Sequence, residues 1–506
     1  MQNRRNSIIT DLSRIKYEAE RFLINGAFDL FEEARFLANL EPHCCSTEVA
    51  YNKLILSCWG EDWSRSWRVT GCETGENILR LHCTKQMGRR TCIVEWQRGQ
   101  MAGDISANRA QFTEKIAAMI EANLSGVMVE RGTTQRDDYR HLTGVHTRLI
   151  LKERNATIAG IAIGQHESPA HIEATLSAGI IWLHELRDRG ARIKQLLIFL
   201  PKSGALTIAC RLVYIRLEGV QIKLYEIDEE ERSLMPLEPF DQADLADKLQ
   251  RAAHRADWSL GQNESPAVKN LLAEVKQLAP DAIDEYRRGG WLYLSIRGLT
   301  FARISTRQAK VEFGLERPRI KLNEENRSDF EALLLRLNER RRAGNTDRRD
   351  ELFRQQPERW LEAALCKEVT AIEPLLDGRF AYRQVPAYRG EERSYIDVLT
   401  ATRSGRLVVI ELKVSEDAEF PFQGLDYWSR VDWHKQRGDF QKRGYFDGLR
   451  PTDEAPLLYL VAPLFRFHAT TKMLAAAISS TIPVYRIGIN EDWRTGIRVL
   501  LHERLN

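Results

Sequence analysis

Three residues in the stretch Ile396–Lys413, reading IDVLTATRSGRLVVIELK, have the types and the spacing to do chemistry. Asp397 comes near its start, and Glu411 and Lys413 close it, in an otherwise apolar, β-branched context. The intervening TATRSGRL predicts a hairpin that turns at Ser404–Gly405. Antiparallel pairing across that turn brings Asp397 near Glu411 and Lys413. Because Glu411 and Lys413 are two apart, they share one face of their strand. Two carboxylates, with the backbone carbonyl of Leu412 between them, can hold a hard divalent cation such as Mg2+ or Mn2+. A lysine beside that ion can orient or help deprotonate an attacking water, or stabilise phosphate charge. The same charges also suit a plain edge-strand ion-pair cluster, with Lys413 on Glu411 or Asp397.

The flanking pattern supplies the elements that must position these groups. Helical spacing covers 357–369, strands follow at 380–385, 395–401 and 407–414, and a helix covers 424–437. APLLYLVAP predicts an apolar strand, 470–478 a helix, and IPVYRIGI a last strand. The order is α-β-β-β-α-β-α-β, a mixed sheet flanked by helices. FQGLDYW places Gln423 and Tyr427 four apart, on one face of the helix after the site. His434, further along that helix, reads as a surface or packing residue and stays outside the catalytic set.

This ordered set resembles the PD-(D/E)xK nuclease superfamily, in the exonuclease-like branch with a Q-x-x-x-Y element. The resemblance spans 357–506. It implies a restriction-endonuclease-like αβββαβ core, with Asp397, Glu411, Lys413, Gln423 and Tyr427 as the catalytic set. It also implies metal ligation by Asp397, Glu411 and the Leu412 carbonyl, with a helix glutamate as an extra ligand. Glu362, in mid-helix, is the expected glutamate, and Glu358 the fallback. Isoleucine rather than proline precedes Asp397, which does not touch the ligands.

At 506 residues the chain is too long for one core. Its texture divides it into a helix and β-meander region at 1–100, an α/β domain at 101–230, a helical and small β region with a charged linker at 231–350, and the nuclease-like domain at 351–506. The class is α/β, of the mixed α+β kind. Apolar positions at helical spacing run through 1–40, and four meander strands are expected between Tyr51 and Trp96. In CWGEDWSRSWR the tryptophans and arginines suit either base stacking or a core. Basic positions interleaved with aromatics (Arg287, Arg288, Arg297, Arg303, Arg317, Arg319, Lys321) could track a phosphate backbone, or form a solvated mixed surface. The main linker is expected in the charged stretch 338–358.

The element order of 105–228 repeats that of 357–490. With ATIAGIAIGQHE laid over GRLVVIELKVSE, Ala162 takes the place of Glu411 and Gly164 that of Lys413. The first copy thus reads as a degenerate nuclease-like domain, with a ligand-sensing α/β domain as the competing reading. FLPKSGAL lacks the spacing of a phosphate loop. The eight cysteines form no C-x-x-C pair, and reduced thiols in a cytoplasmic protein are expected, with a scattered metal site involving His43 and His82 also conceivable. A net charge of +3 diagnoses no partner, and no apolar run is long enough to span a membrane.

These features lead to the expectation of a Mg2+- or Mn2+-dependent nuclease that hydrolyses phosphodiester bonds by a metal-activated water. Its expected partner is nucleic acid, DNA ahead of RNA, and not a membrane. A homodimer, or an effector ligand on the N-terminal region, is a further expectation. The alternative is a non-catalytic nucleic-acid-binding or scaffold protein that keeps the fold.

Overall fold

The apolar residues of 1–40, at helical spacing in the sequence, divide between one helix, Leu12–Ile24, and two strands, Phe28–Glu32 and Arg35–Leu40. The short run Phe28–Phe31 fits either period, and tertiary pairing decides: the first strand is hydrogen-bonded to a neighbour on each side. The computed structural model describes residues 10–24, 28–33, 35–40, 44–50, 53–59, 64–75, 77–85, 90–98, 101–134, 145–237, 265–280, 282–288, 290–315, 319–347, 350–389 and 392–506. The helical run expected before 261, His43 and Arg317 lie outside these. The chain divides into two units, Met1–Ala209 with Leu217–Pro239, and Cys210–Arg216 with Phe240–Asn506. Among the described residues it is a mixed α/β protein with four sheets. No helix among them is long and apolar enough to cross a membrane.

In the first unit, seven antiparallel strands between Phe28 and Gln97 form one sheet. Its core gathers Trp67, Trp96, Phe28 and buried cysteines beneath Leu12–Ile24. All eight cysteines are free thiols. The second sheet is built from α1 (Met101–Asn123), β1 (Val127–Thr133), β2 (Thr147–Glu153), β3 (Ala156–Ala162), α2 (Thr175–Asp188), β4 (Ile193–Pro201), α3 (Lys202–Leu212), β5 (Gln221–Asp228) and β6 (Ser233–Leu237). The helical run before β4 is broken at Ala174, with Pro169–Glu173 standing before α2. There the Thr175 hydroxyl donates to the Ile172 carbonyl at 2.7 Å and competes with the regular ladder.

The second unit has a sheet of five antiparallel strands between Ile283 and Lys321, after the helix Pro266–Leu278. The last two, Val311–Phe313 and Ile320–Lys321, are too short to leave a periodic signal. The C-terminal sheet follows, with α4 (Pro357–Lys367), β7 (Tyr382–Arg389), β8 (Glu392–Ala401), β9 (Leu407–Leu412), α5 (Phe420–Gln436), β10 (Leu457–Pro463), α6 (Thr471–Ala476), β11 (Val484–Ile489) and β12 (Val499–Arg504). Its order is β7-β8-β9-β10-β11-β12, and that of the first unit's second sheet is β1-β2-β3-β4-β5-β6. Strand directions agree as well. The first two pairings are antiparallel, the next two parallel and the last antiparallel, in both sheets. The closing strands β6 and β12 were not foreseen; β12 buries every second residue only partly, and β6 carries Pro236, as edge strands do.

Within the charged stretch expected as a linker, Arg341, Leu352 and Phe353 are buried. Arg341 is fully buried, and its guanidinium donates to the carbonyls of Leu352, Gln355 (2.7 Å) and Arg297 (2.8 Å) while lying over the Trp360 ring. Leu352 joins the core of the five-stranded sheet, and Phe353 that of the C-terminal sheet. A second tie is the two-residue turn Arg297–Gly298, with φ of 45° and 82°. These values belong to the mirror-image turn that suits a hairpin. A Cβ on Gly298 would collide with the backbone of Arg359 and Trp360 in α4. Gly298→Ala is therefore expected to cost about 2–4 kcal/mol, read as a lower urea midpoint with an unchanged m-value.

Candidate active site at the open end of the C-terminal sheet

The β8–β9 ladder runs from Ala401↔Leu407 to Val398↔Ile410. The turn joining the strands brings Gly405, at φ 93°, close against the Arg450 carbonyl. One step beyond the last rung, Asp397 and Glu411 face each other, but the backbones have parted. The Leu412 N–H donates instead to Asp397 Oδ2 at 3.0 Å. β9 meanwhile stays paired to β10 through Glu411↔Leu460 and Leu412↔Val461, and the Lys413 N–H donates to the Val461 carbonyl at 3.1 Å. The strands splay at the point where the charges sit.

Around this opening the structure brings together Asp397, Glu411, Lys413 and acids from two further segments. Glu411 is buried. Lys413 Nζ lies 3.0 Å from Asp417 Oδ2, in the loop before α5. Burial works against its ammonium, but Asp417, Glu358 and Glu411 outweigh that and hold its pKa above the ordinary lysine value. Burial raises the Glu358 carboxyl; Lys413 opposes this, and Asp397 and Asp417 add to it. Asp397 is pushed up to about 6, first by burial and then by the Glu362 charge, against the pull of Arg359, the Leu412 N–H and Lys413.

Glu362 is almost wholly buried and spoken for. Arg359 and Gln384 donate to its Oε2 at 2.7 and 2.6 Å, and Arg383 donates to Oε1 at 2.7 Å. It locks α4 to β7. Glu358, one turn earlier, is the helix acid that faces Lys413. Gln423 donates to Asp417 Oδ2 at 3.2 Å, and Tyr427 lies half-buried one turn further along α5. His434 is buried, bonded to Asp439 at 2.8 Å and pushed down to about 4 by that burial. Sequence reasoning missed Asp417; the available signal was its place as the turn that starts α5, where Oδ1 accepts the Glu419 N–H at 2.8 Å.

The donor set suits a hard cation. Asp397, Glu411, Glu358 and the Leu412 carbonyl offer oxygen only, and crowded carboxylates whose protons are held too tightly gain from a positive ion. Among the described residues, no group of three or more His, Cys, Asp or Glu side chains is drawn close enough to hold a metal ion as it stands.

The matching place in the first unit is different. Its ladder continues through Ala162↔Thr147, the rung that Glu411 and Asp397 do not make. The Thr147 hydroxyl meets that of Thr113 on α1 at 3.0 Å. The Phe112 ring and Glu229 pack where a side chain at Gly164 would go. Arg109 forks on Glu167, at 2.6 and 2.9 Å.

Several other candidates are spent on structure. Arg303 forks on Glu312 over the Trp291 ring, Arg319 holds the Gly314 carbonyl, and Arg297 reaches Asn338. Trp67 is buried and donates to Glu32 at 2.5 Å, beside Arg65 at 2.8 Å. Arg287 and Lys321 are exposed. No family model, curated protein or solved structure matches the chain.

The raised Asp397 pKa gives a stability prediction in the absence of divalent cations. The folded state holds this proton more tightly than the unfolded state, so stability is full below about pH 4 and is lost as pH rises through about 6. Asp397→Asn keeps an acceptor for the Leu412 N–H and removes the charge. It should raise the melting temperature at pH 7.5 in chelator and flatten the fall between pH 4 and 6, as differential scanning calorimetry would show.

Proposed function

We propose that the C-terminal domain is a divalent-metal-dependent nuclease that hydrolyses phosphodiester bonds of nucleic acid, DNA ahead of RNA. The observation that carries this reading is the parting of β8 and β9 at Asp397, which gathers Asp397, Glu411, Lys413 and Glu358 at one end of an αβββαβ sheet. An ion-pair cluster alone would not require strands that open, or a helix acid turned toward the lysine.

Mg2+ or Mn2+, when bound, lowers the pKa of a water and neutralises phosphate charge. Asp397, Glu411 and the Leu412 carbonyl would hold it, with Glu358 reaching from α4. Glu362 braces α4 through its arginines rather than standing ready as a ligand. Lys413, a donor with three N–H bonds, orients the attacking water or a phosphate oxygen. The first copy, with Thr147, Ala162 and Gly164 at these places, lacks the oxygen charges that would offset cation dehydration, and its proposed role is to hold nucleic acid or position the active domain.

The test is incubation of purified full-length protein with plasmid, single-stranded DNA and RNA, in Mn2+, in Mg2+ or in chelator. Cleavage should require the metal and vanish in Asp397→Ala and Glu411→Ala, with the circular dichroism spectrum retained. Full activity in Asp397→Ala would remove this site from the reaction, and no cleavage by the wild type would leave the non-catalytic scaffold reading in its place. Lys413→Ala should lose about 10²–10⁴-fold in turnover while binding Mn2+ as the wild type does, measured by calorimetric titration.

A further inference from the structure

We propose that Asp417, outside the expected catalytic set, is a positioning residue that fixes the Lys413 ammonium, and that Gln423 serves the site by bracing Asp417. This rests on the nuclease reading for its chemical consequence, but not for its geometry. A lysine has a long, flexible stem and a compact charge, so a useful direction must be imposed from outside. Here Asp417 Oδ2 takes Lys413 Nζ at 3.0 Å and Gln423 Nε2 at 3.2 Å. Its other oxygen, Oδ1, accepts the Glu419 N–H at 2.8 Å, and the Phe420 N–H donates to its backbone carbonyl. The carboxylate is thus held by the first turn of α5 and is itself buried. α5 packs on β9 and β10: a Cβ on its Gly424 would lie 3.0 Å from the side chains of Leu458 and Leu460. The chain of contacts runs from a helix seated on the sheet, through Gln423 and Asp417, to the Lys413 ammonium.

This gives the first residue of the Q-x-x-x-Y element a physical task at one remove from substrate. It also separates two kinds of acid at the site. Asp397 and Glu411 are placed to meet a cation, whereas Asp417 is placed to hold a lysine that must not wander toward them.

The test uses the full chain. Asp417→Asn keeps an oxygen for the Glu419 N–H and removes the charge that holds Lys413. Its kcat should fall about ten- to a hundredfold, with KM for an oligonucleotide and the Mg2+ concentration for half-activity unchanged. Asp417→Glu should recover part of the loss. In a Lys413→Ala background Asp417→Asn should cost nothing further, because it acts through that lysine. An independent arm needs neither metal nor substrate. The ¹H–¹⁵N signal of the Lys413 ammonium, identified by its loss in Lys413→Arg, should be sharp in the wild type and gone in Asp417→Asn. A raised Mg2+ requirement would make Asp417 a ligand and overturn the proposal, as would additive losses in the double variant or an ammonium signal that survives. If the wild type cleaves nothing, the nuclease reading fails, and the ammonium signal still decides whether Asp417 holds Lys413.

Discussion

The C-terminal site depends on one hydrogen bond, from the Leu412 N–H to a side chain instead of to a neighbouring backbone. A strand in the middle of a sheet must satisfy its N–H groups, because leaving one buried and unpaired costs about 1–3 kcal/mol. Asp397 Oδ2 supplies the missing acceptor, so β8 can bend away from β9 without that penalty. The opening that results admits Glu358 from one helix and lets Lys413 lean toward the loop before another. In the first unit the same rung is kept as a backbone pair, Ala162↔Thr147, and the space is filled by Phe112. One topology thus carries a paired rung in one sheet, with Thr147 there, and an unpaired one in the other, with Asp397 there.

The acids in β8 and β9 were legible because a strand tolerates few charges in an apolar run, and the hairpin arithmetic placed them opposite each other. The order of helices and strands in both α/β sheets was legible for the same reason: long apolar or periodic segments leave little choice. What failed was decided by partners distant in sequence. Phe28–Phe31 fits a helix or a strand until a neighbouring strand is there to pair with it. Glu358 and Glu362 lie one turn apart on α4, and their different surroundings come in part from Arg383 and Gln384 on β7. Arg341 reads as part of a solvated charge run, because the three carbonyls that accept from it lie up to 44 residues away.

The basic residues of the five-stranded sheet carry a related lesson. Arg303 and Arg319 are committed to Glu312 and to backbone carbonyls, so counting positive charges overstated the surface open to phosphate. An arginine's planar fork makes it as useful inside a fold as on a nucleic acid, and sequence alone does not separate the two uses.

Arg341 has a consequence for how the second unit is inherited and broken. One guanidinium satisfies carbonyls from the hairpin of one sheet and from the segment entering the next, and Gly298 lets those two parts touch backbone to backbone. The C-terminal sheet is therefore not a detachable cassette. A recombination breakpoint between 342 and 351 would part the guanidinium from the Leu352 and Gln355 carbonyls, so the two sheets can be expected to travel through evolution as a pair and to melt in a single cooperative step.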